Sequence, residues 1–114
     1  MKPTVIERGS EPTRTSASGL QVWELVNEVS DDRDLMIAYA VIPPGTAEGP
    51  HERDTDEFIY YLAGVATIRL EDDEEIELQP GQLVRIPPGV AHSHVNHGDE
   101  PVIQLFFRAA STTS

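Results

Sequence analysis

The sequence predicts an all-β domain, and three observations carry that prediction. Short segments rich in β-branched and aromatic residues recur between residues 20 and 108. Turn signals containing Gly, Pro, Asp or Asn separate them. No segment keeps a 3.6-residue apolar period over the length of a helix, so helix is expected to be scarce. Short strands at this spacing enclose a core as a barrel or a sandwich.

Taken in order, residues 1–19 read as an N-terminal arm and linker. Within them TVIER is a candidate extra strand, and GSEPTRTSASG is too small and polar to bury anything. The segments LQVWELVNEV, DLMIAYAVIP, DEFIYYLAG, VATIRLE, EEIEL, QLVRIP, VAHSHVN and PVIQLFF then make one barrel over residues 20–108. Trp23, the single tryptophan, lies in an alternating strand and is expected to pack rather than to stack on a ligand. The acids of EDDEE between two strands read as a solvated turn. FIYYL and VIQLFF are apolar on both strand faces, and one small interior absorbs only one of them. An outward set of Phe58, Tyr60, Leu62 and Phe106 would therefore meet a second copy, giving a homodimer to which TVIER could add a strand. Residues 109–114 read as a flexible tail.

Composition removes several functions. A chain of 114 residues makes one domain with room for one small buried site. Lys2 and seven arginines stand against twenty acids for a net charge of −12, which excludes nucleic acid and anionic membrane surfaces as partners and disfavours phosphate-rich ligands. Without cysteine there is no disulfide, no thiolate nucleophile and no Cys-type zinc site, so His, Asp and Glu are the available metal ligands. No apolar run resembles a signal h-region or reaches membrane-spanning length, and the expected location is the cytoplasm.

The histidines fall at 51, 92, 94 and 97. Residues two apart on a strand share a face, so His51 groups with Arg53, and His92 groups with His94 and Asn96. Glu57 opens the next strand. In GTAEGPHERDTDEFIYYLAG, Gly45, His51, Glu57 and Gly64 stand at the intervals of the first motif of the cupin superfamily. In GQLVRIPPGVAHSHVN, Gly81, Pro87, Gly89, His92 and Asn96 stand at those of the second. The chain thus resembles a small single-domain cupin of the conserved-barrel type. The resemblance implies a double-stranded β-helix, or jelly-roll, barrel with an interior cavity. Gly45, Gly64, Gly81 and Gly89 are expected in turns that need positive φ, with Pro87 and Pro88 stiffening the entry to the strand of His92.

Metal-binding cupins hold one divalent ion with two motif-1 histidines, the glutamate and the motif-2 histidine. Carried over by position, the resemblance implies His51, Glu57 and His92, converging from adjacent strands. The fourth place is Arg53, which cannot ligate a cation. Two imidazoles and a carboxylate leave open positions and suit iron, manganese, nickel or zinc. His94 is a further candidate ligand, although strand spacing separates it from His92 by roughly 6–7 Å and favours a supporting or cavity-lining place. His97, beside Gly98, is expected to be exposed. Arg53 either clamps a substrate carboxylate or enolate, or pairs with Asp54 or Asp56 at the surface; a Glu57–Arg53 hydrogen bond is the plain alternative to a metal role for Glu57.

Three functions follow from the resemblance. The first is a mononuclear-metal enzyme of dioxygenase, decarboxylase, lyase or cyclase type acting on a small organic molecule, with dioxygenase-like chemistry foremost. The second is a non-catalytic ligand-binding or regulatory module with a degenerate metal site. The third, a metal-free epimerase-like cupin, would need more cations than this chain has. The substrate-binding wall is assigned to Arg53, Ile59, Tyr61 and Phe107, with Ile68, Ile86 and Leu105 beside them, a lining suited to an aromatic or polyketide-like metabolite.

Overall fold

A computed structural model describes residues 2–31 and 33–110. Ten strands follow one another: β1 (Arg14–Thr15), β2 (Gln21–Ser30), β3 (Arg33–Ile42), β4 (Ala47–His51), β5 (Glu57–Ala63), β6 (Ala66–Leu70), β7 (Glu75–Leu78), β8 (Leu83–Ile86), β9 (His92–Val95) and β10 (Val102–Ala110). They form a six-stranded sheet ordered β1-β2-β3-β10-β5-β8 and a four-stranded sheet ordered β4-β9-β6-β7. Two antiparallel sheets closing on one interior make the expected jelly-roll barrel. The described residues contain no helix, hence none long and apolar enough to cross a membrane.

Alternation along each strand decides what faces the interior. On β5 the inward set is Glu57, Ile59 and Tyr61, all buried, while Tyr60 and Leu62 are exposed. Ile59 and Tyr61 meet Ile68 of β6, Ile86 of β8 and Ile42 of β3 in one closed core. On β10 the expected parity is reversed: Val102 and Gln104 are buried and Phe106 packs on the core, so Phe106 points in, whereas Leu105 and Phe107 belong to the outer face. The register explains it. Phe106 pairs with Ile59 and Ala38, both inward, and Phe107 pairs with Phe58 and Ile37. A shift between Ile103 and Gln104 leaves Leu62 as an extra residue on β5, which keeps the two strands in phase below it.

The linker is also more structured than expected. Arg14 and Thr15 pair with Val22 and Gln21, and the hydroxyls of Ser16 and Ser18 both donate to Glu48 on β4, so the β1–β2 turn is fastened across to the smaller sheet. TVIER forms no strand within the single chain. Arg8 lies over the rings of Trp23 and Tyr39 at 4.8 and 4.9 Å, where a guanidinium is attracted by aromatic faces. Trp23 is accordingly buried by packing, as expected. Of the expected tail, Ala109 and Ala110 continue β10, and residues 111–114 lie outside the described residues. Gly45, Gly64, Gly81 and Gly89 all take positive φ.

Candidate functional site

Strand pairing brings the histidines together. His51 on β4 is the register partner of His92 on β9, and His94, two residues further along β9, faces the same way, opposite Glu48 and Ile68. The ring centroids lie 6.1 Å apart for His51–His92, 5.8 Å for His51–His94 and 5.2 Å for His92–His94. His94 is therefore nearer its neighbours than strand spacing alone implies, because the rings of His92 and His94 cant towards each other edge to face at 77°. His97 stands apart, exposed, with Nε2 3.1 Å from Glu75 Oε1. Glu57 enters from a different direction. It opens β5 in the six-stranded sheet, so it faces the histidines across the interior rather than from an adjacent strand.

Local sequence fixes these positions. Asn96 donates from Nδ2 to the carbonyls of Ile42 (3.0 Å) and Glu100 (2.8 Å) and accepts from the Gly98 N–H (3.0 Å), tying down the exit of β9. At its entry, the turn through Pro87, Pro88 and Gly89 is anchored by the Gly89 N–H donating to the Arg53 carbonyl at 2.8 Å. The Arg53 side chain, 42 % exposed, turns inward so that Nε lies 3.6 Å from Glu57 Oε1. Asp56, one of its expected surface partners, instead accepts from Arg85 at 3.0 and 3.1 Å.

His92 defines a polarity within the site. Its Nδ1 is 3.0 Å from the Val90 carbonyl, an acceptor only, so Nδ1 carries the hydrogen and Nε2 of the neutral ring presents a lone pair. That Nε2 is buried without a hydrogen-bond partner, 3.8 Å from Glu57 Oε2. Nδ1 of His94 is buried and unpartnered as well. Burial first, and then the neighbouring His92, His51 and Arg53, push the His94 imidazole down to about 3. Burial first, and then the Arg53 guanidinium and the neighbouring His92 imidazole, also lower His51, against an opposing pull from Glu48.

Both rings are thus neutral in the folded protein, while in the unfolded chain they protonate near 6.5. Stability is fully present above that value. It falls as the pH drops from 6.5 towards about 3, the value for His94, because the unfolded chain takes up protons first. Metal-free protein should lose about 1.4 kcal/mol per pH unit for each proton involved. Urea midpoints between pH 7 and 4 measure this, and His94→Gln should flatten the slope. An unchanged slope in that variant would contradict it.

The cavity beside the histidines has a volume of about 320 Å³. Its lining includes Glu48, His51 and His94 from the smaller sheet, Arg53 from the loop after β4, and Val22, Ala38, Ala40, Glu57, Gln104 and Phe106 from the larger sheet. Two side chains expected in its wall, Ile59 and Tyr61, are instead consumed by the closed core, where burial raises the Tyr61 phenol, and Phe107 faces outward. Arg53 is in the lining. Arg14, Glu48, Gln104, Phe106 and Arg108 were not foreseen. Gln104 had a signal, being the lone polar residue in VIQLFF, where a side chain that breaks an apolar run marks either a solvent face or a site.

Comparison with known proteins agrees with this architecture. A 66-residue stretch, 58 % of the chain, is 32 % identical to an uncharacterized protein of Methanocaldococcus jannaschii, covering 53 % of it. Over 93 residues, 70 % of the chain, it is 31 % identical to a glucose-6-phosphate isomerase of Thermococcus onnurineus, covering 49 % of that protein. The chain thus spans about half the length of these curated relatives. A Cupin 2 conserved barrel domain protein from Salinispora arenicola superposes with a TM-score of 0.72 at 21 % identity, over 95 % of this chain and 87 % of the other. The family described as "Cupin domain" matches residues 38–107, more than half of the chain, which therefore belongs to the cupin family.

Proposed function

We propose that the chain is a metal-dependent cupin enzyme in which His51, His92, His94 and Glu57 hold one divalent cation, iron, manganese, nickel or zinc, beside the cavity. The carrying observation is His92 Nε2, buried without a hydrogen-bond partner and 3.8 Å from a Glu57 carboxylate oxygen. Two buried acceptors facing each other repel unless a cation lies between them. Donation from Nδ1–H to a backbone carbonyl is also how metal-ligating imidazoles are commonly oriented.

The donors fit such an ion in kind and in ring spacing. The three centroid separations place a common centre about 3.3 Å from every ring, against about 3.2 Å for an imidazole whose nitrogen is 2.1 Å from zinc. Among the described residues no three His, Asp or Glu groups already close on one point as a finished site, so the rings have to turn on loading. A bound ion would supply a Lewis acid towards a ligand oxygen. The chain's own residues bind and orient. Arg53 offers a fixed cation at the mouth for a ligand carboxylate, and the apolar floor excludes water from one side. The similarity to an isomerase supports turnover of a small anionic metabolite, since the whole enzyme is named for one.

The Arg53–Glu57 contact at 3.6 Å favours a second reading, in which arginine neutralises the carboxylate and the barrel only binds a ligand. Elemental analysis of untagged protein after incubation with each metal separates the two. Near one ion per chain is expected, and no retained metal would leave the binding module. A homodimer through the outward face of β5, β8 and β10, including the exposed Tyr60, Leu62 and Leu83, is proposed with it. Sedimentation at micromolar concentration should show a dimer, and a monomer would refute it.

A further inference from the structure

Gln104 has no part in the metal reading, yet it is a buried polar residue of the larger sheet with an unpartnered side-chain atom, as are Trp23 and Tyr61. It is 5 % exposed, lines the cavity, and its Oε1 is buried without a donor. Its register partners do not satisfy it: Ala40 has no polar side chain, and the Tyr61 hydroxyl is itself buried and unpartnered. A stranded buried amide is costly, and a turn of the side-chain amide presents its oxygen or its nitrogen to the cavity, where a water or a ligand polar group pairs with it. A hydroxyl suits best, because it donates to the amide oxygen and accepts from the amide nitrogen, whichever of the two faces it.

The space in front of Gln104 exists because β3 places alanine at two successive inward positions, Ala38 and Ala40, both 5 % exposed. Together with Val22 and Phe106 they make an apolar floor. At about 30 Å³ per water molecule in the liquid, the cavity of about 320 Å³ has room for roughly ten waters, enough for a small metabolite. Its charged lining is Arg14, Arg53 and Arg108 against Glu24, Glu48 and Glu57. Arg108 is held by Asp34 through paired contacts of 3.1–3.2 Å, and Glu48 by two serine hydroxyls. A divalent cation added to this near-balance leaves the cavity positive, which selects an anion.

We infer that the cavity takes a small hydroxy-carboxylate, its carboxylate towards Arg53 and the histidines, its hydrocarbon on the Ala38–Ala40 floor and its hydroxyl on Gln104. The carboxylate end rests on the metal reading above; the hydroxyl end does not.

Calorimetric titration tests it, with straight-chain monocarboxylates of three to eight carbons, each paired with its ω-hydroxy counterpart, on protein whose metal content has been measured. At one chain length the hydroxy acid should bind about tenfold or more tighter than the plain acid. Gln104→Met should erase that ratio with metal content unchanged, and Ala40→Leu should abolish binding of both acids. Should Gln104→Met melt early, Gln104→Glu replaces it and should repel both members of each pair. Protein that takes no metal overturns the metal reading, and the hydroxyl ratio is then read on the metal-free chain. Absence of any hydroxyl preference, or its survival in Gln104→Met, overturns this assignment.

Discussion

His92→Ala is expected to weaken binding of a divalent cation by about a hundredfold or more, since even an indirect supporting contact is commonly worth ten- to a hundredfold. Of the three clustered rings, only His92 has its outer nitrogen fixed by the backbone, through the Val90 carbonyl, so its lone pair is the one already aimed. His94→Ala should produce a loss of similar size, which separates a three-histidine site from the two-histidine set that motif positions alone imply. Arg53→His acts in the opposite direction: it removes a cation whose Nε lies 3.6 Å from Glu57 and adds a donor, so affinity should rise. Competition with a chromogenic chelator measures all three variants. Melting temperatures of the metal-free forms show whether His92→Ala has merely opened a hole. Equal affinity of His92→Ala and wild type would remove the metal assignment.

The largest effect on stability is expected from Gly64→Ala. A Cβ there would sit 2.4 Å from the Pro101 carbonyl oxygen and 3.0 Å from Val102 Cα, in a backbone with φ of 79°. Both obstacles are main chain, and Val102 opens β10, the strand between β3 and β5 in the larger sheet. Overlap with backbone adds to the left-handed penalty, for a loss of about 3 kcal/mol or more and a fall in Tm of over about 10 °C. Gly81→Ala is the control. It has a similarly positive φ of 91° but nothing within 4 Å, so it should cost only about 1 kcal/mol. Equal falls in the two variants would show that conformation, rather than contact, sets the cost at Gly64.

The site was legible where spacing along one chain segment decides it, and obscure where contact across strands does. His51 and His92 sit at motif intervals, and the structure makes them register partners. The approach of His94 depends on how two rings tilt, which strand repeat distances do not contain. Which residues of β10 point inward depends on one extra residue at Leu62 of a different strand, so an apolar run such as VIQLFF, equally greasy on both faces, left its phase open. Arg53 presented the same difficulty. The acids crowding HERDTDE offered surface partners, and only the pairing of Asp56 with Arg85 from β8 leaves Arg53 turned towards Glu57.

Glu57 and the three histidines belong to opposite sheets, with mechanical consequences for the barrel. A cation gripped from both sides would act as a rivet between two layers otherwise joined by side-chain packing, chain crossovers and the few hydrogen bonds through Glu48 and Asn96. Filling such a site to a hundred times its Kd would add about 2.7 kcal/mol against unfolding. The gain would concentrate on the slow parting of the layers, visible as delayed amide exchange in β5 and β9 together, while exchange in the edge strand β7 would change least.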